Sequence, residues 1–303
     1  MSTKDYLLLT GLAAIWGGSF LFMRIASPVL GPVLTTDLRV IIASIVLFAW
    51  LRITRTPGLW REQWRHYLLA GVIMSAFPYL CFAYAALHIP AGYSAILNSS
   101  SPMFGAIFGA IWLGETMTPR KVAGLLIGMA GVTLISLRGA VMFDDSFLPA
   151  VLACLIAAAS YGVSGVYLKK FVHGPGPVAI ATGSQSMAGL VLLGPALLAP
   201  VPGTLTLPVA GAVVALAVLC TAVALIGYFK LFARVGPTNA ITVTFLLPPF
   251  GMLWGFLFLG EAITLKMLGG CALIIAGTLM ATGFKFPRRP PGDMRPSSTD
   301  GAH

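Results

Sequence analysis

Charge is scarce in this sequence. Asp, Glu, Lys and Arg make up 9% of the 303 residues, against 58% apolar residues and a mean hydropathy of +0.92. A soluble domain carries roughly 25% charged residues, so no water-soluble core accounts for this chain. Acid is scarcer still, with nine Asp and Glu against 19 Lys and Arg. No Asp, Glu or His falls near the middle of an apolar run, and there is no HExxH motif. An intramembrane enzyme needs a nucleophile, a base or metal ligands converging in the membrane, and those residues are missing. The four cysteines, Cys81, Cys154, Cys220 and Cys271, all lie inside apolar runs without metal-ligand spacing; there Cys acts as a small hydrophobe. No metal, cofactor or catalytic residue is implied. No small-residue cleavage site follows Lys4 and Asp5, so the first apolar run reads as helix one and not as a cleavable signal.

What is present is a series of runs of the ~20 residues needed to cross ~30 Å of hydrocarbon. In lipid each backbone amide must be satisfied within its own segment, so such runs are helices; the short alternating strands of a β-barrel do not occur. The expected class is an all-α polytopic membrane protein. Ten spans are placed near 6–27, 34–52, 66–87, 91–113, 120–138, 148–169, 178–199, 208–233, 237–259 and 263–284. With the N-terminus inside, fifteen of the 19 cations fall on the inner side, the Arg52–Arg65 loop and Lys169-Lys170 among them. Only Arg24, Arg39, Arg138 and Lys266 fall outside. Short loops follow the positive-inside rule, so both termini are expected to be cytoplasmic. The net charge of +10 then faces anionic lipid and not nucleic acid.

The stretch from Pro102 to Leu137 occurs twice. Leu113-Gly114-Glu115 returns as Leu259-Gly260-Glu261, and Pro102, Thr118, Gly124 and Gly131 return as Pro248, Thr264, Gly270 and Gly277, all at an offset of 146. Earlier in the chain Trp16, Gly17, Ser19 and Arg24 match Tyr161, Gly162, Ser164 and Lys169 at 145. The expected units are 1–140 and 146–285, each of five helices, followed by a disordered basic cytoplasmic tail at 286–303. Five is odd, so the second copy enters from the opposite face. Inverted repeats recur in secondary transporters, with the substrate site near the midplane between the halves.

These residues carry a family resemblance. IWGGSF at Ile15–Phe20, Arg39, Pro102 with Leu113–Thr116, and Gly236, Pro248 and Leu259–Thr264 resemble the drug/metabolite transporter superfamily, specifically its EamA-type ten-helix exporters, the group that includes YddG-like amino-acid exporters. The resemblance covers nearly the whole chain. It implies a basket of helices around a central cavity, with spans five and ten to one side. It leaves the substrate open, since the group exports amino acids, metabolites, purines and toxic cations.

Polar and aromatic residues at mid-span mark the candidate substrate site: Trp16, Ser19, Ser75, Tyr79, Asn98, Tyr161, Ser164, Gln185, Tyr228, Lys230 and Thr244. Rings that cover an apolar part while hydroxyls and amides orient a head group suit a neutral or zwitterionic amphiphile. The competing reading of each Ser or Thr is a bond to its own helix backbone. Lys230 either snorkels to water or meets a carboxylate. Trp16 and Tyr161 lie too deep for an interfacial belt, to which Tyr84 and Tyr93 are assigned; His88 reads as a solvated loop residue. Pro102 and Pro248 each remove a helix hydrogen bond and are expected to bend spans four and nine beside the site, freeing carbonyls as acceptors. Glu115 and Glu261 are expected to act as caps or ion pairs at opposite faces, near Arg120-Lys121 and Lys266, and Asp37–Arg39 as a structural pair. The glycines of spans five and ten read as packing stripes or an oligomer contact.

Without a buried proton relay, the reading is a facilitator or exchanger in the inner membrane. It exports small amphiphiles, aromatic or hydrophobic amino acids first, by alternating access. Its partners are the solute and the bilayer, with a homo-oligomer left open. The alternatives are export of purines or toxic cations, or a non-transport membrane protein such as an intramembrane enzyme.

Overall fold

A computed structural model describes residues 2–136, 145–240 and 242–282; Arg138 and the 286–303 tail lie outside them. The described residues form helices and no strand. The spans are α1 (Thr3–Leu30), α2 (Pro32–Ile53), α3 (Trp60–His88), α4 (Ala91–Leu113), α5 (Pro119–Ser136), α6 (Phe147–Phe171), α7 (Pro177–Leu198), α8 (Leu207–Gly236), α9 (Val243–Leu259) and α10 (Leu265–Ala281). Eight are long and apolar enough to cross a membrane. The last two are shorter, at 17 residues each, about 26 Å of helix and the low end of the spanning range.

Contacts close eight of these helices into a ring, in the order α1, α8, α2, α7, α3, α6, α4, α9 and back to α1. α5 and α10 pair with each other outside it, against α4. The ring is two inverted copies, because its contacts map onto themselves when the repeats are exchanged, as an isologous two-fold interface requires. Gly17 of α1 lies against Phe250 and Gly251 of α9, and Gly162 of α6 lies against Phe104 and Gly105 of α4. Gly124 meets Gly277, and Gly131 meets Gly270, along the α5–α10 seam. A Cβ on Gly124 would sit 2.6 Å from the Gly277 carbonyl oxygen, so these backbones touch in the manner of small-residue stripes in lipid.

The repeated Leu-Gly-Glu ends α4 and α9 by one device. Gly114 (φ 69°) and Gly260 (φ 64°) take the left-handed conformation past the last turn. The Glu115 and Glu261 amides then donate to the Gly109 and Gly255 carbonyls, at 3.2 and 3.1 Å, which the Gly114 and Gly260 amides also reach; a left-handed glycine that folds the chain back onto the last carbonyls is a common helix stop. Each carboxylate folds back over Gly109 or Gly255, where a Cβ would collide with the Glu261 carboxylate and crowd that of Glu115. From there each glutamate reaches the other repeat: Glu261 pairs with Arg24 (3.4 Å) and Glu115 with Lys169 (3.0 Å). The expected local partners Arg120-Lys121 and Lys266 are not the ones used.

Three local expectations give way. α4 is interrupted at Ser99-Ser100. There the hydroxyls of Ser99, Ser100 and Ser101 donate to the carbonyls of Ile96, Leu97 and Asn98, each at 2.6 Å, so the carbonyl freed by Pro102 is already taken. Pro102 lies in the first turn after this break, whereas Pro248 and Pro249 sit inside an unbroken α9. Tyr93 is no belt residue; it is buried edge-on to Phe147 at 6.0 Å. His88 closes α3 with its ring 4.9 Å from Tyr84.

Candidate functional site

Where the halves meet, the two-fold also relates side chains. α3 and α8 each contain a π-helical segment, Gly71–Ala76 and Ala215–Val223, the wide turns that recur at functional sites. Each presents one buried hydroxyl, Ser75 and Thr221, 146 apart. The Thr221 hydroxyl accepts from Arg39 Nε at 2.9 Å, and the Ser75 hydroxyl accepts from Gln185 Nε2 at 3.1 Å. Arg39 and Gln185 also lie 146 apart, so the two bonds are counterparts. The rings pair likewise. Trp16 packs on Tyr228 (5.2 Å between centroids), and its counterpart Tyr161 stacks on Phe82, the counterpart of Tyr228, at 6.2 Å. Trp16 stands about 20 Å along α1, near its middle.

Tyr79 breaks the symmetry. Its ring lies 3.6 Å below the Arg39 guanidinium carbon, and its hydroxyl is 3.5 Å from Gln185 Nε2. Arg39 is 5% exposed, and its Nη1 faces the Met23 sulfur at 3.8 Å. Among the described residues no carboxylate pairs with it. The expected Asp37–Arg39 pair does not form, since residues two apart on a helix point to different sides; the Asp37 Oδ1 is buried without a partner. Of the other candidates, Ser19 is buried with its hydroxyl unbonded, and Ser164 donates to the Tyr161 carbonyl at 2.8 Å. Asn98 is half-buried, its Oδ1 3.3 Å from the Ser101 hydroxyl that donates to it. Thr244 is half-buried near the start of α9. Lys230 is not with this group. It is exposed, 5.0 Å over the Trp50 ring, and lines a groove of about 380 Å³ with Val46, Ile53 and Ile226. A cavity of about 620 Å³ lies beside Arg52, Trp60 and Ser186. Among the described residues no three His, Cys, Asp or Glu come together to hold a metal.

The two ends of the ring differ. At the Glu261 end, Phe20 packs edge-on to Phe82 at 5.4 Å and Arg24 Nη1 donates to the Ala86 carbonyl at 2.7 Å, so α1 and α3 meet across the ring. The Glu261 carboxylate, besides pairing with Arg24, accepts from the Ala91 amide at 2.9 Å. At the Glu115 end the counterpart of Phe20 is Gly165, exposed with open space where a side chain would stand. There α6 and α8 make no comparable contact, and the Lys169–Glu115 side chains are 68% and 39% exposed. One end is closed and the other open.

A family model described as the EamA-like transporter family matches residues 3–137 and again 148–283. The chain is 30% identical over 230 residues to a probable terminal-alkyne amino-acid exporter of Streptantibioticus cattleyicolor, covering 75% of this chain and 74% of that one. It is 26% identical over 276 residues to the uncharacterized transporter YvbV of Bacillus subtilis, with 90% of each covered. It is also 23% identical over 307 residues to a probable amino-acid metabolite efflux pump of Salmonella typhimurium, covering 95% and 98%. A solved crystal structure superposes with a TM-score of 0.67 at 21% identity, over 93% of this chain and 97% of that one, which speaks to the fold.

Proposed function

The chain belongs to the EamA-like transporter family, and from that membership we propose that it exports small amphiphilic amino acids, aromatic or hydrophobic ones first, by alternating access. The observation that carries this reading is the set of two-fold-related contacts at mid-depth, Trp16 on Tyr228 with Tyr161 on Phe82, and Arg39 on Thr221 with Gln185 on Ser75. Rings and hydrogen-bonding groups converge there, between halves that lead to opposite faces. Ser19, Asn98, Ser164 and Thr244 are assigned to the same pathway, Pro102 to the re-angling of α4 beyond its break and Pro248 to α9. Lys230 is assigned to the lipid-facing surface. The basic end of the ring faces the cytoplasm of an inner membrane, so the carrier rests open inward. Two relatives are named as a probable terminal-alkyne amino-acid exporter and a probable amino-acid metabolite efflux pump, which supports this substrate class over purines, toxic cations or intramembrane catalysis.

Thermal-shift titration of the purified protein with a panel of amino acids is expected to show saturable stabilisation by at least one aromatic or branched member. Trp16→Ala should weaken that response roughly tenfold, since a stacked ring contributes about 1–3 kcal/mol to holding a planar ligand. An unaltered response would remove Trp16 from the site. In proteoliposomes, uptake should follow the amino-acid gradient with or without a proton gradient, because among the described residues no carboxylate pairs with Arg39 to relay a proton through the mid-depth group; strict dependence on the proton gradient would contradict this and point to Asp37, buried two residues from Arg39 on α2.

A further inference from the structure

We propose that Arg39 and Gln185 are the two poles of a head-group site, Arg39 receiving the carboxylate and the Gln185 side-chain oxygen receiving the ammonium of one α-amino acid lying over Tyr79. This rests on the reading that the mid-depth group of rings and hydrogen-bonding side chains forms the solute pocket, and it goes further by assigning the residues that choose the head group. A cation shut away from water costs several kcal/mol unless a counter-charge and hydrogen bonds replace its hydration. Arg39 has one hydrogen bond through Nε, a thioether facing Nη1 and a ring beneath, and no carboxylate partner among the described residues. A partly buried pair among the described residues shows what a completed one looks like here: Arg24 holds both Glu261 and the Ala86 carbonyl. The guanidinium edge of Arg39 is therefore an incomplete pair, shaped for a carboxylate.

Gln185 is its opposite. The two-fold would place a second cation here, and the chain has an amide instead. The amide nitrogen is used, by Ser75 and Tyr79, while Oε1 is buried with no partner. An unmatched buried acceptor costs about 1–3 kcal/mol, which a donor cation would recover. Tyr79 touches both groups, so the poles stand one ring apart, on the scale of a zwitterion with a hydrogen bond at each end. The two-fold fixes where the poles lie, and its violation fixes which way round the solute sits. Amines without a carboxylate are then poor solutes, and acids without an amine are intermediate.

The experiment is equilibrium binding by the full chain in detergent, using L-tryptophan and L-leucine, their amines tryptamine and isoamylamine, and the acid indole-3-propionate. Wild type is expected to hold an amino acid at least tenfold tighter than its amine. Arg39→Gln should bring amino acid and amine within about twofold of each other, with Arg39→Lys in between. Gln185→Leu should weaken the amino acid and leave indole-3-propionate unchanged. Without ligand, Arg39→Gln should melt no lower than wild type, whereas a structural cation would melt lower when removed. Chloride titrated into the ligand-free protein should leave melting unchanged; a saturable rise would put a resident inorganic anion at Arg39 and overturn the assignment. Wild type binding amines as tightly as amino acids, or Arg39→Gln keeping the full preference, overturns the head-group assignment while the pocket stands. If wild type binds none of the five probes, the pocket reading itself falls, and this assignment with it.

Discussion

Replacing Glu261 by glutamine should unlatch the closed end of the carrier. The wild-type carboxylate pairs with Arg24 at 3.4 Å and accepts the Ala91 amide at 2.9 Å, with the Glu261 side chain only 12% exposed. Hydrogen bonds to a charged group contribute about 1.5–3 kcal/mol each, and glutamine keeps the shape while losing the charge. A loss of about 1–3 kcal/mol shifts a two-state equilibrium by roughly 5–150-fold. A cysteine at Ala86, in a background whose four native cysteines are replaced by alanine, should react with a hydrophilic maleimide at least about fivefold faster in the Glu261→Gln protein. The counterpart change Glu115→Gln should alter labelling less than twofold, because an exposed ion pair is worth only about 0–1 kcal/mol. Reversing both charges, Arg24→Glu with Glu261→Arg, should slow labelling only in part, because an arginine cannot accept the Ala91 amide and a carboxylate cannot donate to the Ala86 carbonyl. Equal responses at the two ends would mean that neither pair latches anything.

Gly277→Leu should be the most damaging single substitution at the α5–α10 seam. A Cβ there would meet the Gly124 carbonyl oxygen at 2.5 Å and the Gly128 backbone closer still. The obstacle is helix backbone, which cannot rotate away as a side chain can. Overpacking in a tight core costs about 1–3 kcal/mol, and separating two backbones along a seam belongs at or above the top of that range. At about 2–4 °C per kcal/mol for a chain of this order of size, melting should fall by roughly 6–12 °C. Gly194→Leu is the matched control: Gly194 is exposed on α7 with open space around it, and its melting should hold. A seam that tolerated Gly277→Leu would not be a backbone contact.

The ten spans, their inversion and the mid-span positions of Trp16, Ser75, Tyr79, Gln185 and Tyr228 are legible from hydropathy and from the 145–146 offset. Each of these depends on position along the chain, which the repeat reports faithfully. Arg39 was misplaced because counting cations by loop assigns a charge to an end of a helix and says nothing about which face carries it. The usable signal was its 146 spacing from Gln185. The α4 break escaped because three consecutive serines look merely polar until their hydroxyls are seen to take the carbonyls of Ile96, Leu97 and Asn98. α3 begins six residues before the expected span, at Trp60, since hydropathy marks where lipid ends and not where the helix does. Lys230 and Tyr93 show the same limit from both sides: a residue near a boundary turns outward or inward according to neighbours from distant segments, Trp50 in one case and Phe147 in the other.

Phe20 has no equal at the other mouth, where Gly165 stands. If the carrier works by alternating access as proposed, it favours facing one compartment, held by a ring contact and a sheltered ion pair that the reverse posture cannot reproduce. On the proposed reading, a solute seated between Trp16 and Tyr161 would make up that deficit. A molecule that fits loosely would enter and leave by the same door without crossing. Occupancy and throughput are then separate quantities, and the best-bound member of a series need not be the fastest passenger.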